Sequence, residues 1–380
     1  MRQVLGNAAI GAWSGGRYLH FGEAIGEERL AGLLRPDHGL HTVLTADVYG
    51  QGEGDALVGR ALAGLPRDAF SLVGAIGHDF VDGEREGPRG FPRFTDPRLR
   101  GPEGYRDYVR GAVERSLDRC GVSSFDVLLL HNPDRRGFES PEVWEALREL
   151  RDEGLAGALG LAPGPANGFV LDLIGCLERF GELIDWAMVI LGPLEPWPGE
   201  LVLGACADHD VSVITRVVDY GGLFWDDLLP GHVLAQGDHR AFRPDGWIEA
   251  GREKLELMRP LAERHGLTPM QLACQWNLDH GPVRCVVPTL IQESGPGARA
   301  IEDKRAELAG LPSQAGLSKT EVDALRTIGD NSGSMSLKGA SPEHEGDERP
   351  DRWTVGAEHE ALAQRHGIHP DTELSKLVVD

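Results

Sequence analysis

The sequence predicts an α/β fold, a (β/α)8 barrel with a C-terminal extension, and three observations lead there. Eight short apolar runs alternate with segments of helical period, the pattern of strands each followed by a covering helix. The most apolar run, Phe125 to Leu130, reads as a strand buried on both faces. It stops at His131-Asn132-Pro133-Asp134, and Pro133 cannot continue a central strand, so the polar residues sit where the strand emerges. The region of the first strand, Gly6-Asn7-Ala8-Ala9-Ile10-Gly11, lacks the spacing of a Gly-rich phosphate loop, which argues against a doubly wound open sheet.

Taken in order, Val4 to Trp13 opens the chain as a strand and a turn-rich loop, Trp13-Ser14-Gly15-Gly16, and a short helix covers Glu28 to Leu34. Val43 to Ala46 is the second strand. The helix Asp55 to Leu65 places Leu57, Ala61 and Leu65 on one face. Phe70 to Ile76 is the third strand, leaving the sheet at Gly77-His78-Asp79. A Gly-, Pro- and Arg-rich loop follows, roughly Val81 to Gly104, long enough to be a binding loop or lid. Tyr105 to Cys120 is helical, with Val109, Ala112, Val113 and Leu117 on its apolar stripe. Helices at Pro141 to Glu153 and Phe169 to Phe180 flank a strand at Ala158 to Leu161, whose exit loop runs through Pro165 to Asn167. Strands at Ile184 to Leu191, Val211 to Val218 and Val283 to Pro288 complete the eight. The helices Glu200 to Ala207, Trp247 to Arg264 and Gln271 to Asp279 lie between them, and Asp226 to Gly246 is irregular.

Beyond Gly329 the composition turns polar, as at Ser341 to Gly346, with Trp353 and a short helix at Glu358 to Arg365. The domain reading is therefore a barrel over 1–328 and an extension over 329–380, either a loose tail or a segment packed on the barrel.

A formal charge of −22 repels phosphate backbones and disfavours a nucleic-acid partner. No apolar stretch reaches the length of a membrane span, and Met1 begins no signal-peptide pattern. Cys120, Cys176, Cys206, Cys274 and Cys285 are odd in number and widely spaced, which fits reduced thiols and a cytoplasmic protein.

Four segments, in order, carry a family resemblance: Thr45-Ala46-Asp47-Val48-Tyr49-Gly50-Gln51-Gly52, Phe125 to Asp134, Val213 to Arg216 with Gly221-Gly222-Leu223, and Leu267 to Trp276. Over about Gly6 to Leu311 the chain resembles the aldo-keto reductase superfamily. That resemblance implies a barrel enzyme that uses NAD(P)H with an Asp, Tyr, Lys, His tetrad. It puts Tyr49 on the proton-donating tyrosine and His131 on the histidine that orients the carbonyl. The tetrad aspartate position is Leu44 and the lysine position is Ala75. Losing both is chemically coherent, because losing one alone would leave an unpaired buried charge. The polar residues that hold the cofactor's carboxamide become Ala162-Pro163 and Met188, and the ring-stacking tyrosine becomes Leu191. The phosphate-gripping segment becomes Pro288 to Glu293, and Lys304 and Arg305 read as a solvated helix face.

These residues lead to a main expectation and two alternatives. The main one is acid–base chemistry at the barrel mouth on a small polar, sugar-like or carbonyl substrate (elimination, isomerisation or hydrolysis) without standard NADPH hydride transfer. Its catalytic residues are Tyr49, His131, His78 and Asp79, with Trp13, Asp47, Asn132, Trp197, Arg216, Asp219 and Tyr220 around the substrate. One alternative is a conventional NAD(P)H-dependent reductase, and the other is a non-catalytic binding barrel. The cofactor stays open between NADPH and none. Asp79 and Asp219 have a second reading as helix caps. A metal set of His78, Asp79 and His131 is disfavoured because neighbours on a strand point to opposite faces.

Overall fold

The computed structural model describes residues 5–87, 90–164, 169–313, 316–332 and 356–374. Eight parallel strands follow one another in chain order: β1 (Ala9–Gly11), β2 (Thr42–Ala46), β3 (Ser71–Ile76), β4 (Phe125–His131), β5 (Ala156–Ala162), β6 (Trp186–Ile190), β7 (Ser212–Arg216) and β8 (Val283–Val287). A parallel bridge between Ala8 and Val286 brings the last strand back to the first, so the sheet closes on itself. Each strand alternates its side chains between two apolar environments, and for that reason the runs in the sequence are unbroken. Leu44, Ala75, Val127, Leu129 and Ile214 fill the interior. Val43, Leu72, Leu128 and Val213 pack outward against the helices.

The covering helices are α1 (Glu27–Leu34), α2 (Glu53–Leu62), α3 (Tyr105–Cys120), α4 (Arg135–Glu139), α5 (Pro141–Asp152), α6 (Phe169–Phe180), α7 (Leu203–Asp208), α8 (Trp247–Arg264) and α9 (Pro269–Leu278). They are followed by α10 (Ile301–Ala309), α11 (Lys319–Gly329) and α12 (Ala357–Arg365). Local chemistry sets several ends. Thr268 caps α9 with a reciprocal Gln271 contact, and Ser318 does the same for α11 with Glu321. Pro141 opens α5, where its missing N–H costs nothing. Pro260 lies inside α8, which nevertheless continues to Arg264.

Several expectations need correction. The opening strand is only Ala9–Gly11, because the chain turns at Trp13 into a 3-10 turn. The helix expected from Glu200 begins as a 3-10 turn over Gly199–Val202. Asp134 accepts the Gly137 amide to start α4, a helix that was not foreseen. Lys304 is not on a solvated face: it is fully buried and pairs with Asp227 at 2.7 Å. Arg305 is largely covered and pairs with Asp37.

The helix expected near Glu358 is α12, packed on α6. Leu362 and Ala363 are buried there, and His359 Nε2 meets Asp172 at 3.0 Å. The expected exit loop 165–167, the stretch 341–346 and Trp353 lie outside the described residues. Among the described residues no helix is long and apolar enough to cross a membrane.

Candidate active site

The carboxyl ends of β2, β3, β4 and β7 surround a cavity of about 620 Å³. Its wall includes Trp13, Tyr49, His78, His131, Asn132 and Arg216. Tyr49 arrives on a 3-10 turn directly after β2. The turn depends on three successive left-handed residues, Gly50, Gln51 and Gly52. A Cβ on Gly52 would meet the Arg119 guanidinium at 2.5 Å, so a larger residue there would displace either the turn or Arg119.

The Tyr49 ring stands edge-on to His131, centroids 6.1 Å apart, and tilted against Trp13, also at 6.1 Å. Burial pushes the Tyr49 hydroxyl up to about 12, and the charge of Arg216 opposes that rise. Burial pulls His131 down to about 3, helped by the cations Arg93 and Arg216. At neutral pH the pair is therefore a protonated phenol beside a neutral imidazole.

His78 packs edge-on to His131 at 5.2 Å. Its Nδ1 lies 3.1 Å from the Phe91 carbonyl, which can only accept, and its Nε2 lies 3.2 Å from Asn132 Nδ2. Arg93 Nη1, which can only donate, also lies 3.2 Å from Nδ1, so the ring is held from both of its nitrogens. Burial, Arg93 and His131 all depress the His78 pKa, so His78 too is neutral. Asn132 adopts φ 46°, a backbone region that asparagine tolerates better than most residues.

The long loop was legible as a binding element, and it does reach the site: Arg85, Gly90 and Phe91 are on the wall. Arg93, which no single-residue signal marked, donates to the Asn132 carbonyl and pins the loop to the end of β4. Tyr18, His20 and His239 also line the cavity and were missed, because they lie in irregular segments without period.

The other expected site residues are placed elsewhere. Asp79 is fully buried, accepts the Val81 and Asp82 amides and pairs with Arg100. Asp219 accepts the amides of Gly222 and Thr289 and ties the β7 and β8 exit loops together. Both thus act as loop caps. Trp197 is buried, with its backbone clasped on both sides by the Asn331 amide. Tyr220 lies under the Arg243 guanidinium, 4.2 Å from ring to carbon. Asp47 is buried behind the wall. His78, Asp79 and His131 do not converge, and among the described residues no three His, Cys, Asp or Glu side chains gather as a metal-holding group.

With this geometry in view, residues 9–294 match the model of the Aldo/keto reductase family. The chain belongs to that family. It is 27% identical over 298 residues to a D-threo-aldose 1-dehydrogenase from a Pseudomonas species, covering 74% of this chain and 82% of the relative. It is 26% identical over 299 residues to an NADH-specific methylglyoxal reductase from Escherichia coli, covering 76% and 83%. A glycerol dehydrogenase from Gluconobacter oxydans superposes with a TM-score of 0.63 at 23% identity, covering 85% of this chain and 91% of that one, a likeness of fold.

The family implies a nicotinamide dinucleotide, and the residues present meet that group only at the Tyr49–His131 end. Ala162, Pro163 and Met188 face the cavity without a side-chain donor for a carboxamide. Leu191 is fully buried off the wall. The cations near the β7 and β8 exits hold the chain's own carboxylates: Arg240 with Asp238 and Glu293, Arg243 with Glu195, Arg299 with Glu307, Lys304 with Asp227. The polar seat does not fit the usual cofactor contacts.

Proposed function

We propose that the protein is an oxidoreductase that interconverts a carbonyl and an alcohol on a small polar substrate in the barrel mouth. The observation that carries this reading is the Tyr49–His131 pair facing one cavity in a chain of this family. Its relatives are named as a dehydrogenase of aldoses and a reductase of methylglyoxal, which supports small oxygenated substrates. In this reading a nicotinamide dinucleotide would supply or accept the hydride, and the Tyr49 hydroxyl holds a proton at the substrate oxygen, releasing it to a carbonyl or taking it from an alcohol. The neutral His131 orients the same oxygen through a hydrogen bond. Arg216 is the cation that acts on the phenol, where the family resemblance has a lysine and this chain has Ala75.

A second reading is favoured by one specific observation: Leu44, Ala75, Ala162, Pro163 and Met188 are apolar where the family resemblance has its aspartate, its lysine and the polar residues that hold the carboxamide. It keeps Tyr49 and His131 as an acid–base pair for elimination, isomerisation or hydrolysis. Titration with NADH and NADPH, followed by cofactor fluorescence, separates the two. Saturable binding with turnover of methylglyoxal, lost in Tyr49→Phe, is the expected result. No binding at millimolar cofactor would sink the redox reading and leave the second.

A further inference from the structure

The arginines at this end of the barrel differ in one respect. Arg100, Arg240 and Arg243 are covered, and each closes on a carboxylate of the chain. Arg216, at the last position of β7, is half-buried and lines the cavity, yet it forms no ion pair among the described residues. Among the described residues its one side-chain hydrogen bond is from Nη2 to the Pro163 carbonyl, at 3.1 Å. A guanidinium carries five N–H donors, and the remaining ones open onto the cavity that Arg216 lines. Sequestering a cation without an anion is costly unless something else supplies the charge.

The backbone around Arg216 is arranged for the same purpose. Val217 adopts φ 61°, a left-handed conformation that a β-branched side chain rarely takes. Strain of this kind collects where a fold holds a side chain in a set place. The wall of the cavity repeats the message in its charges. It carries Arg85 and Arg216 against one carboxylate, Glu53, with Arg17 beside them paired to Glu27, in a chain whose formal charge is −22.

We propose that Arg216 grips an anionic oxygen pair, a carboxylate or a phosphate ester, on a substrate whose reacting oxygen lies at Tyr49 and His131. The reacting group and the anionic group then sit within one small molecule, as in an oxo acid or a sugar phosphate. A guanidinium fork matches two such oxygens bidentately, which fixes orientation as well as charge. The proposal rests on the cavity being the active site, and it adds the chemical class of the substrate.

The test is binding to the whole chain at constant ionic strength, by calorimetry, with matched probes that differ in charge. Pyruvate is set against methyl pyruvate, and dihydroxyacetone phosphate against dihydroxyacetone. The charged member of at least one pair should bind about tenfold or more tightly than the neutral one. Which pair responds distinguishes a carboxylate from a phosphate. Arg216→Gln should abolish the preference, Arg216→Lys should restore part of it, and both should melt with the wild type. Equal or tighter binding of the neutral members in both pairs, no binding by any probe at tens of millimolar, or a preference that survives Arg216→Gln overturns the proposal. Because the readout is binding, charge preference without NAD(P)H turnover refutes only the redox reading. Turnover of neutral aldehydes without charge preference refutes only this one.

Discussion

Leu44 and Ala75 lie on adjacent strands of the barrel's inner face, Ala75 two residues beyond Val73, the register partner of Leu44, and both are buried in one apolar cluster. They occupy the positions where the family resemblance has an aspartate and a lysine. With neither charge present, the interior below Tyr49 is uniformly apolar and needs no ion pair.

Restoring one charge is expected to be worse than restoring two. Ala75→Lys alone buries an unpaired ammonium and should lower stability by about 3–5 kcal/mol. Adding Leu44→Asp gives that cation its partner, so the double variant should recover part of the loss. Denaturant unfolding of the single and double variants measures this. In the double variant the Tyr49 phenol should also ionise at lower pH, visible as tyrosinate absorbance. A double variant no more stable than Ala75→Lys would show that the two side chains do not meet.

The pH dependence of turnover should be unusually flat. His131 is held down to about 3 and Tyr49 up to about 12, so neither changes charge between about pH 5 and 9. With methylglyoxal as substrate, kcat/KM should vary little over that window, and His131→Ala or Tyr49→Phe should each lower it by about 10²–10⁴. A bell-shaped profile centred near neutrality would assign the chemistry to other groups.

The barrel and the Tyr49–His131 pair were legible because both are written in local signals: unbroken apolar runs, and polar residues at the strand ends. Lys304 was misread because α10 looks polar in isolation. Only the folded chain brings Asp227 against it from the irregular segment after β7. Asp79 and Asp219 are short acids at strand exits, and from sequence a cap and a catalyst look alike there. Backbone amides decide between them, and these two carboxylates are taken up by amides. Arg216 was marked as a substrate residue, but its lack of a carboxylate partner among the described residues is a property of three dimensions.

Asp47 gives a stability prediction that depends on pH. Burial first, then the nearby Asp55, raises its pKa well above the ordinary value, and its Oδ1 has no hydrogen-bond partner. A raised folded pKa means that the unfolded chain gives up this proton more readily than the folded one. The penalty therefore grows as pH rises through and above the carboxylate range. Asp47→Asn should stabilise the protein, and by more at pH 8 than at pH 5. Thermal melts at the two pH values check this, and a larger gain at pH 5 would contradict it.

The last prediction concerns α12, through which, we propose, the segment 329–380 is held as an extension on a barrel of residues 1–328. His359 is buried against Asp172 of α6, and that hydrogen bond raises the His359 pKa above 6.5. The sign follows: the stabilisation is complete below 6.5 and disappears as pH rises through the folded value. Glu178 with Arg365 and His366, and Arg179 with Glu358, flank the contact. The arginine pairs keep their charge in this range. A hydrogen bond to a charged partner contributes about 1.5 kcal/mol, or roughly tenfold in an opening equilibrium. Amide exchange over residues 357–365, corrected for intrinsic rate, should therefore be about tenfold more protected at pH 6 than at pH 9. Asp172→Asn should remove most of that difference while the barrel amides remain unchanged. Protection independent of pH would mean that Leu362 and Ala363 alone hold the helix.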